Sequence, residues 1–202
     1  ILIMIPVKKN KTAWFIALGL LLLIGIFLIT TYNSLVKKDE KVKLQWNEVQ
    51  NAYQRRLNLI PNIVNVVKGV SEYEQTTLQQ IAEARSKAAS VNISSNNVSA
   101  DDFTKQAAAQ DELASATNNL IIRIEKYPTL KGTAAYSGLQ TQLEGTERRI
   151  KVARKDFNEA INNYNSSVRS FPAKLVAGIF GFSEKKGFQS DVGADKSIEI
   201  KF

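Results

Sequence analysis

One stretch limits this chain more than any other. From Thr12 to Val36 there is no charged side chain, and the apolar heart runs from Ala13 to Tyr32, reading WFIALGLLLLIGIFLITTY from Trp14 onward. An apolar helix of about 20 residues spans the ~30 Å hydrocarbon layer of a bilayer. Trp14 and Tyr32 stand at its two ends, where aromatic rings favour the headgroup level. Phe15, Leu20, Leu22, Ile24 and Phe27 give the span its apolar body between them. A cleaved signal peptide is a poorer reading: its apolar stretch is shorter, ~7–15 residues, and ends at a small-residue cleavage site, whereas TTYNSL offers none. The segment is therefore expected to be a retained single-pass anchor. Met4 is the expected start residue, with Ile1 to Ile3 outside it. Orientation stays open. Lys8, Lys9, Lys11 and the amino terminus precede the span, Lys37, Lys38, Lys41 and Lys43 follow it, and the positive-inside rule finds no clear asymmetry.

Composition excludes whole classes of chemistry. The 202 residues contain no cysteine and no histidine. Disulfides, thiol nucleophiles, the usual zinc and copper ligands and the commonest general base are thereby removed. No phosphate-binding glycine loop, nucleophile elbow or metal-ligand spacing is present, and Asp191 to Asp195 is too sparse for a calcium loop. The chain is not expected to be an enzyme, and no catalytic residue, metal or cofactor is assigned. The net charge is +8, of which +5 falls after the span, where all the acidic residues lie. Such a balance suits anionic surfaces, lipid headgroups first, but equally serves solubility. The densest basic run, Arg148 to Lys155, is flanked by Glu144, Glu147, Asp156 and Glu159, so nucleic-acid binding is not expected.

After the anchor, helical periodicity dominates. Val42, Trp46, Val49, Tyr53, Leu57, Ile60, Val64 and Val67 step by threes and fours and predict a helix of about seven turns, stopping at Lys68-Gly69. Leu78, Ile81, Ala84 and Ala88 mark a second, shorter helix, and the Ser/Asn-rich Ser90 to Ala100 a loop. Phe103, Ala107, Ala114, Thr117, Ile121 and Ile124 form a third stripe after the Asp101-Asp102 cap, ended by Tyr127-Pro128. The fourth is the clearest: Tyr136, Leu139, Leu143, Thr146, Ile150, Ala153, Phe157, Ala160, Tyr164, Ser167 and Phe171, a helix roughly 55 Å long. The expected fold is all-α: a transmembrane helix followed by an antiparallel four-helix bundle of coiled-coil character. The expected divisions are a basic amino terminus at 1–11, the span at 12–36, the bundle at 37–171, and an apolar segment with a tail at 172–202, where Ser197 to Phe202 alternate like a short strand.

The stretch QRRLNLIPN, Gln54 to Asn62, interrupts this regularity with arginines, asparagines and a proline. Asn51, Arg55, Asn58, Asn62 and Asn65 form a polar stripe opposite the apolar one, while Leu59, Ile63, Val66 and Val70 broaden the apolar face. That broad face belongs to a helix central to the bundle or covered by another copy. Pro61 cannot bond back toward Leu57, so the helix should kink there, with Asn58 or Asn62 placed to satisfy the freed carbonyl. Two readings stand side by side. The stretch is a solvated face with a kink, or Arg55 and Arg56, with Asn58, Pro61 and Asn62, are candidate interaction residues for an anionic group, together with Arg148 and Arg149.

The same residues carry a family resemblance. The anchor ending Tyr32-Asn33-Ser34-Leu35-Val36, then Trp46, Arg55-Arg56-Leu57-Asn58-Leu59-Ile60-Pro61-Asn62 and Val67-Lys68-Gly69 resemble the LemA family. Ala84-Arg85, Tyr127-Pro128-Thr129-Leu130-Lys131, Thr146-Glu147-Arg148, Ala153-Arg154 and Tyr164-Asn165 follow that pattern in order, to about Phe182. The family pattern has Asp where Asn58 stands, and Tyr-Ala where this chain has Val70-Ser71. The resemblance implies a bacterial membrane protein with an N-terminal anchor and a helical bundle, a short amino terminus outside the cell, and no established enzymatic activity.

Taken together, the expected function is that of a membrane-anchored structural protein that self-associates into a homo-oligomer and organises or remodels the bilayer. The broad face of the first helix and FPAKLVAGIFGF, Phe171 to Phe182, would supply its contacts. The alternative is a binding module for anionic lipid or an acidic protein, using the basic helix faces. FPAKLVAGIFGF itself is either an amphipathic segment lying on a membrane, with Lys174 at the surface, or a turn packed on protein, which is the favoured reading.

Overall fold

The computed structural model describes residues 11–68, 75–91, 100–124 and 133–188, and among them every regular element is a helix. These are α1 (Lys11–Lys68), α2 (Gln75–Ser90), α3 (Ala100–Ile124), α4 (Ala134–Arg169) and α5 (Ala173–Phe180). Gly69, residues 92–99 of the expected loop, Tyr127-Pro128 and Ser197 to Phe202 lie outside the described residues.

The anchor and the first helix after it are one element. α1 runs 58 residues without a break, about 87 Å at ~1.5 Å per residue. The chemistry explains this. Lys37 to Lys43 is charged but holds only residues a helix tolerates, with neither Gly nor Pro. Exposed from Lys11 to Ile24, α1 is the one described helix long and apolar enough to cross a membrane.

The second half is buried by its neighbours. Arg56 meets Glu147, Tyr53 meets Arg154 and Lys38 meets Ser167, so α1 and α4 run antiparallel along most of their shared length. α2 and α3 pack on each other and close the far end. One core cluster, from Leu35 through Trp46, Tyr53, Phe103, Phe157 and Tyr164 to Val176, lies nearer the span, with Leu28 packed against it. A second, from Leu57 through Val67, Ile81, Leu113, Leu120 and Leu143, lies beyond. Of the residues that broaden the apolar face, Leu59 and Ile63 are buried within this chain, Val66 is half-buried against the second cluster, and Val70 lies outside the described residues.

α4 begins at Thr133, whose hydroxyl accepts from the Tyr136 amide at 3.3 Å. Its predicted stripe holds from Tyr136 to Tyr164, but then Ile161 and Val168 are buried, and Phe171 is 82% exposed. A straight helix drifts ~20° per heptad, so strict 3–4 stepping leaves the core after several turns; α4 also ends at Arg169, short of Phe171.

After α5, Gly181 takes a left-handed φ of 77° and the chain turns back along α4. Two asparagines seven residues apart hold it. Asn165 donates to the Lys185 carbonyl at 2.7 Å and accepts its amide at 2.9 Å. Asn158 does the same for Phe188, at 3.0 and 2.9 Å. The Phe188 ring then completes a cluster with Trp46, Phe103 and Phe157.

A candidate interaction groove between α1 and α4

Between the two core clusters lies a layer of polar side chains, and it decides what the stretch QRRLNLIPN does. Arg55 and Arg56 are neighbours in sequence, yet a helix turns ~100° per residue. Arg56 points inward and is only 2% exposed. Its guanidinium forks onto the Glu147 carboxylate, with Nε to Oε1 at 2.8 Å and Nη2 to Oε2, while Nη1 donates to the Gln110 carbonyl at 2.8 Å. A buried charge satisfied this completely is part of the scaffold.

The same layer holds Arg154, which donates to the Tyr53 hydroxyl and to Asp111, both at 2.8 Å. Burial pushes the Tyr53 phenol above its ordinary 10.0, against the opposing pull of the Arg154 guanidinium. Gln50 and Gln106 exchange amide hydrogen bonds at 3.0 and 2.9 Å. Pro61 stays inside α1, and the Leu57 carbonyl it leaves free is taken by Arg85 Nε at 3.1 Å. The partner thus comes from α2; Asn58, expected in that role, instead accepts from Gln54 at 3.0 Å.

Arg55 points the other way, into solvent. With Asn58, Asn62, Arg148 and Arg149 it lines an open groove of ≈ 830 Å³ between α1 and α4. Five of the seven candidate residues therefore meet in one place; Arg56 and Pro61 do not line it. Arg55, Arg148 and Arg149 make no hydrogen bond or ion pair among the described residues. Charge is segregated along the groove. Because α1 and α4 are antiparallel, the three arginines gather at its far end, and Glu48 and Asp156 lie at the end toward the span. Glu48, Gln45 and Asp156 escaped the sequence reading. Continuing the Asn51–Arg55 stripe one turn back would have reached Glu48, whereas Asp156 enters only through tertiary pairing. Among the described residues, no group of three or more acidic side chains is placed to hold a metal ion.

Comparison with known proteins places this architecture. Magnetosome protein MamQ 2 of Paramagnetospirillum magneticum is 24% identical over 188 residues, covering 85% of this chain and 69% of that protein. Protein LemA of Metamycoplasma hominis is 23% identical over 175 residues, covering 85% of this chain and 76% of its own length. Magnetosome protein MamQ of Magnetospirillum gryphiswaldense is 23% identical over 188 residues, with 85% and 69% covered. None of these names states a catalysed reaction. With the exposed apolar half of α1, they fit a single-pass membrane protein. Residues 45–202 match the LemA family model, which takes in the rest of α1 and all of α2 to α5, and the chain belongs to the LemA family.

Proposed function

We propose that this protein is a membrane-anchored interaction module. An antiparallel four-helix bundle stands rigidly on its own transmembrane helix and offers the α1–α4 groove to an acidic protein segment. The observation that carries this is the continuity of α1. Arg55 lies nineteen residues beyond Val36, so the basic end of the groove stands about 28 Å along the helix from the end of the uncharged run. A tilt of ~40° would still leave it ~20 Å out. Exposed charges are screened beyond about 8 Å at physiological salt. The lipids of the protein's own bilayer are therefore out of reach, and an acidic partner projecting from elsewhere is not.

The test uses the full chain in phosphatidylcholine nanodiscs and a fluorescent polyglutamate peptide as probe. Binding should weaken as salt rises. The Arg55→Ala/Arg148→Ala/Arg149→Ala variant should bind about tenfold or more weakly, at ~0.5 kcal/mol or more per exposed charge contact. No binding by the natural chain, or equal binding by the variant, defeats the proposal.

Self-association is the second reading, and one observation favours it. The span is exposed over residues 12–24, so copies in one bilayer are free to meet side by side there. Leu59 and Ile63 of the broad face of α1 are buried within the chain, which favours a contact elsewhere. Copies side by side hold their arginine ends at equal height, so a symmetric groove-to-groove contact would set like charges together. A head-to-tail contact onto the α2–α3 side, where Glu83 and Glu112 lie, avoids this and builds rings or filaments. Mass measurement of the full chain in bilayers should then give discrete multiples; monomers alone would end this reading.

A further inference from the structure

We propose that α5 is a second membrane contact, a foot whose exposed face sits at the boundary between acyl chains and headgroups beside the point where α1 leaves the bilayer. The inference rests on α1 being the span. Three observations carry it.

The first is position. Phe180 and Phe182 pack on Tyr32, with ring centroids 4.8 and 5.7 Å apart. Val176 and Ala177 share a core cluster with Leu35, and Leu28 packs against it. Residues 28 to 35 are the last turns of the uncharged run, so α5 is level with the end of the span rather than with the groove.

The second is composition by face. Val176 and Ala177 are buried against α1 and α4. The opposite side shows Leu175 at 60% and Ile179 at 72% exposure, with Phe171 at 82% just before the helix, and Phe180, though packed on Tyr32, keeps 52% of its surface exposed. Three large apolar side chains on one short helix, with Phe171 just before it, make a patch that a water-facing surface rarely keeps. Here the patch lies beside the apolar surface of α1, which is exposed over residues 12–24 and again at Ile26, Phe27 and Ile29. That adjacency identifies the occupant as the bilayer and not as a separate protein.

The third is charge. Residues 37–43 and 169–186, which surround this level, hold eight lysines and arginines against three acidic residues. Lys174 lies on α5 itself. A basic collar around an apolar patch is the arrangement that seats a helix about 5–10 Å into the headgroup boundary of an anionic membrane.

A foot beside the span has a mechanical consequence. One transmembrane helix leaves a protein free to rotate about its axis. A second contact off that axis removes the freedom and fixes the direction in which the α1–α4 groove faces.

The chain lacks cysteine, so single labels are unambiguous. Ile179→Cys, Leu22→Cys and Gln140→Cys carry an environment-sensitive fluorophore, each in the full chain in liposomes of phosphatidylcholine with phosphatidylglycerol. Lipids bearing a nitroxide near the top of the acyl chain, or near its end, act as quenchers, and iodide reports water. The Ile179 label should be quenched several-fold more by shallow than by deep nitroxides and shielded from iodide. Leu22 should favour the deep quencher, and Gln140 should respond to iodide alone. If Ile179 behaves like Gln140 while Leu22 stays deep, the foot is wrong and the span stands. If Ile179 is shielded from iodide and from both nitroxides, a protein surface covers it and the proposal is overturned. If Leu22 itself is open to iodide, the spanning reading fails and takes the foot with it.

Discussion

At the scale of single residues, Pro61 shows how one backbone defect is compensated at long range. A proline in a helix removes a bond to the carbonyl four residues earlier. That carbonyl, on Leu57, is served by Arg85, 28 positions later in sequence. The pairing makes a sharp prediction. Arg85→Leu leaves a carbonyl without its partner and should destabilise the bundle by about 1–3 kcal/mol. Pro61→Ala restores the backbone amide, so in that background Arg85→Leu should cost much less. A denaturant double-mutant cycle measures the coupling; additive losses would show that Arg85 stabilises by other means. The defect itself was legible, since Pro61 and the position of the orphan carbonyl follow from the sequence. The partner was not. Periodicity offered the nearby Asn58 and Asn62, whereas a long arginine from another helix reaches further than any local pattern shows. Arg55 and Arg56 teach the same lesson. Their ~100° separation was readable, but which of them turns inward was decided by Glu147, 91 positions away.

At the scale of elements, α4 was read almost whole because its stripe is long and unbroken, whereas its cap, Thr133, emerged only from the structure. The returning chain after α5 gave no periodic signal at all, since it is held by backbone bonds to Asn158 and Asn165 rather than by an apolar pattern. Gly187 is required there, because a Cβ would collide with the Asn158 amide oxygen. Asp39 adds an ionic tie, with Lys185 at 2.9 Å and Lys43 at 3.1 Å. Partial burial would raise the Asp39 carboxyl, but its bonds to Lys185 and Lys43 outweigh this and hold it below the ordinary 3.8. A carboxyl depressed in the folded state contributes stability above its unfolded value and loses it as pH falls through the folded one. The tie should therefore be fully present above pH 3.8 and released only below it. Amide-exchange protection factors of Lys185 and Phe188 should fall in that acid range in the natural chain. Asp39→Asn should lower Lys185 protection already at neutral pH and remove the acid step. An unchanged step in the variant would assign it to another carboxylate.

At the scale of the whole molecule, the motifs that carry the family resemblance converge on its scaffold. Arg56 meets Glu147, Arg154 meets Tyr53, Arg85 meets Leu57 and Asn165 meets Lys185. The resemblance is thus a reading of how the bundle is locked together, and the groove borrows only the residues that face away from those locks. What the lock provides is a fixed platform. α1 is anchor and central helix at once, and its core contacts begin at Leu28 and Leu35, inside the uncharged run. A hinge between span and bundle is therefore opposed on two sides, by helical hydrogen bonds along α1 and by α5 packed across the junction. Nitroxides at Ile24→Cys and Asn58→Cys, one in the span and one at the groove, lie thirty-four residues apart and should stand about 51 Å from each other in bilayers. Pulsed electron–electron resonance should return a single narrow distance distribution. A broad distribution, or one centred well below that length, would mean that α1 bends between span and bundle. The groove would then swing within reach of the protein's own lipids, and the argument for a distant acidic partner would lose its footing.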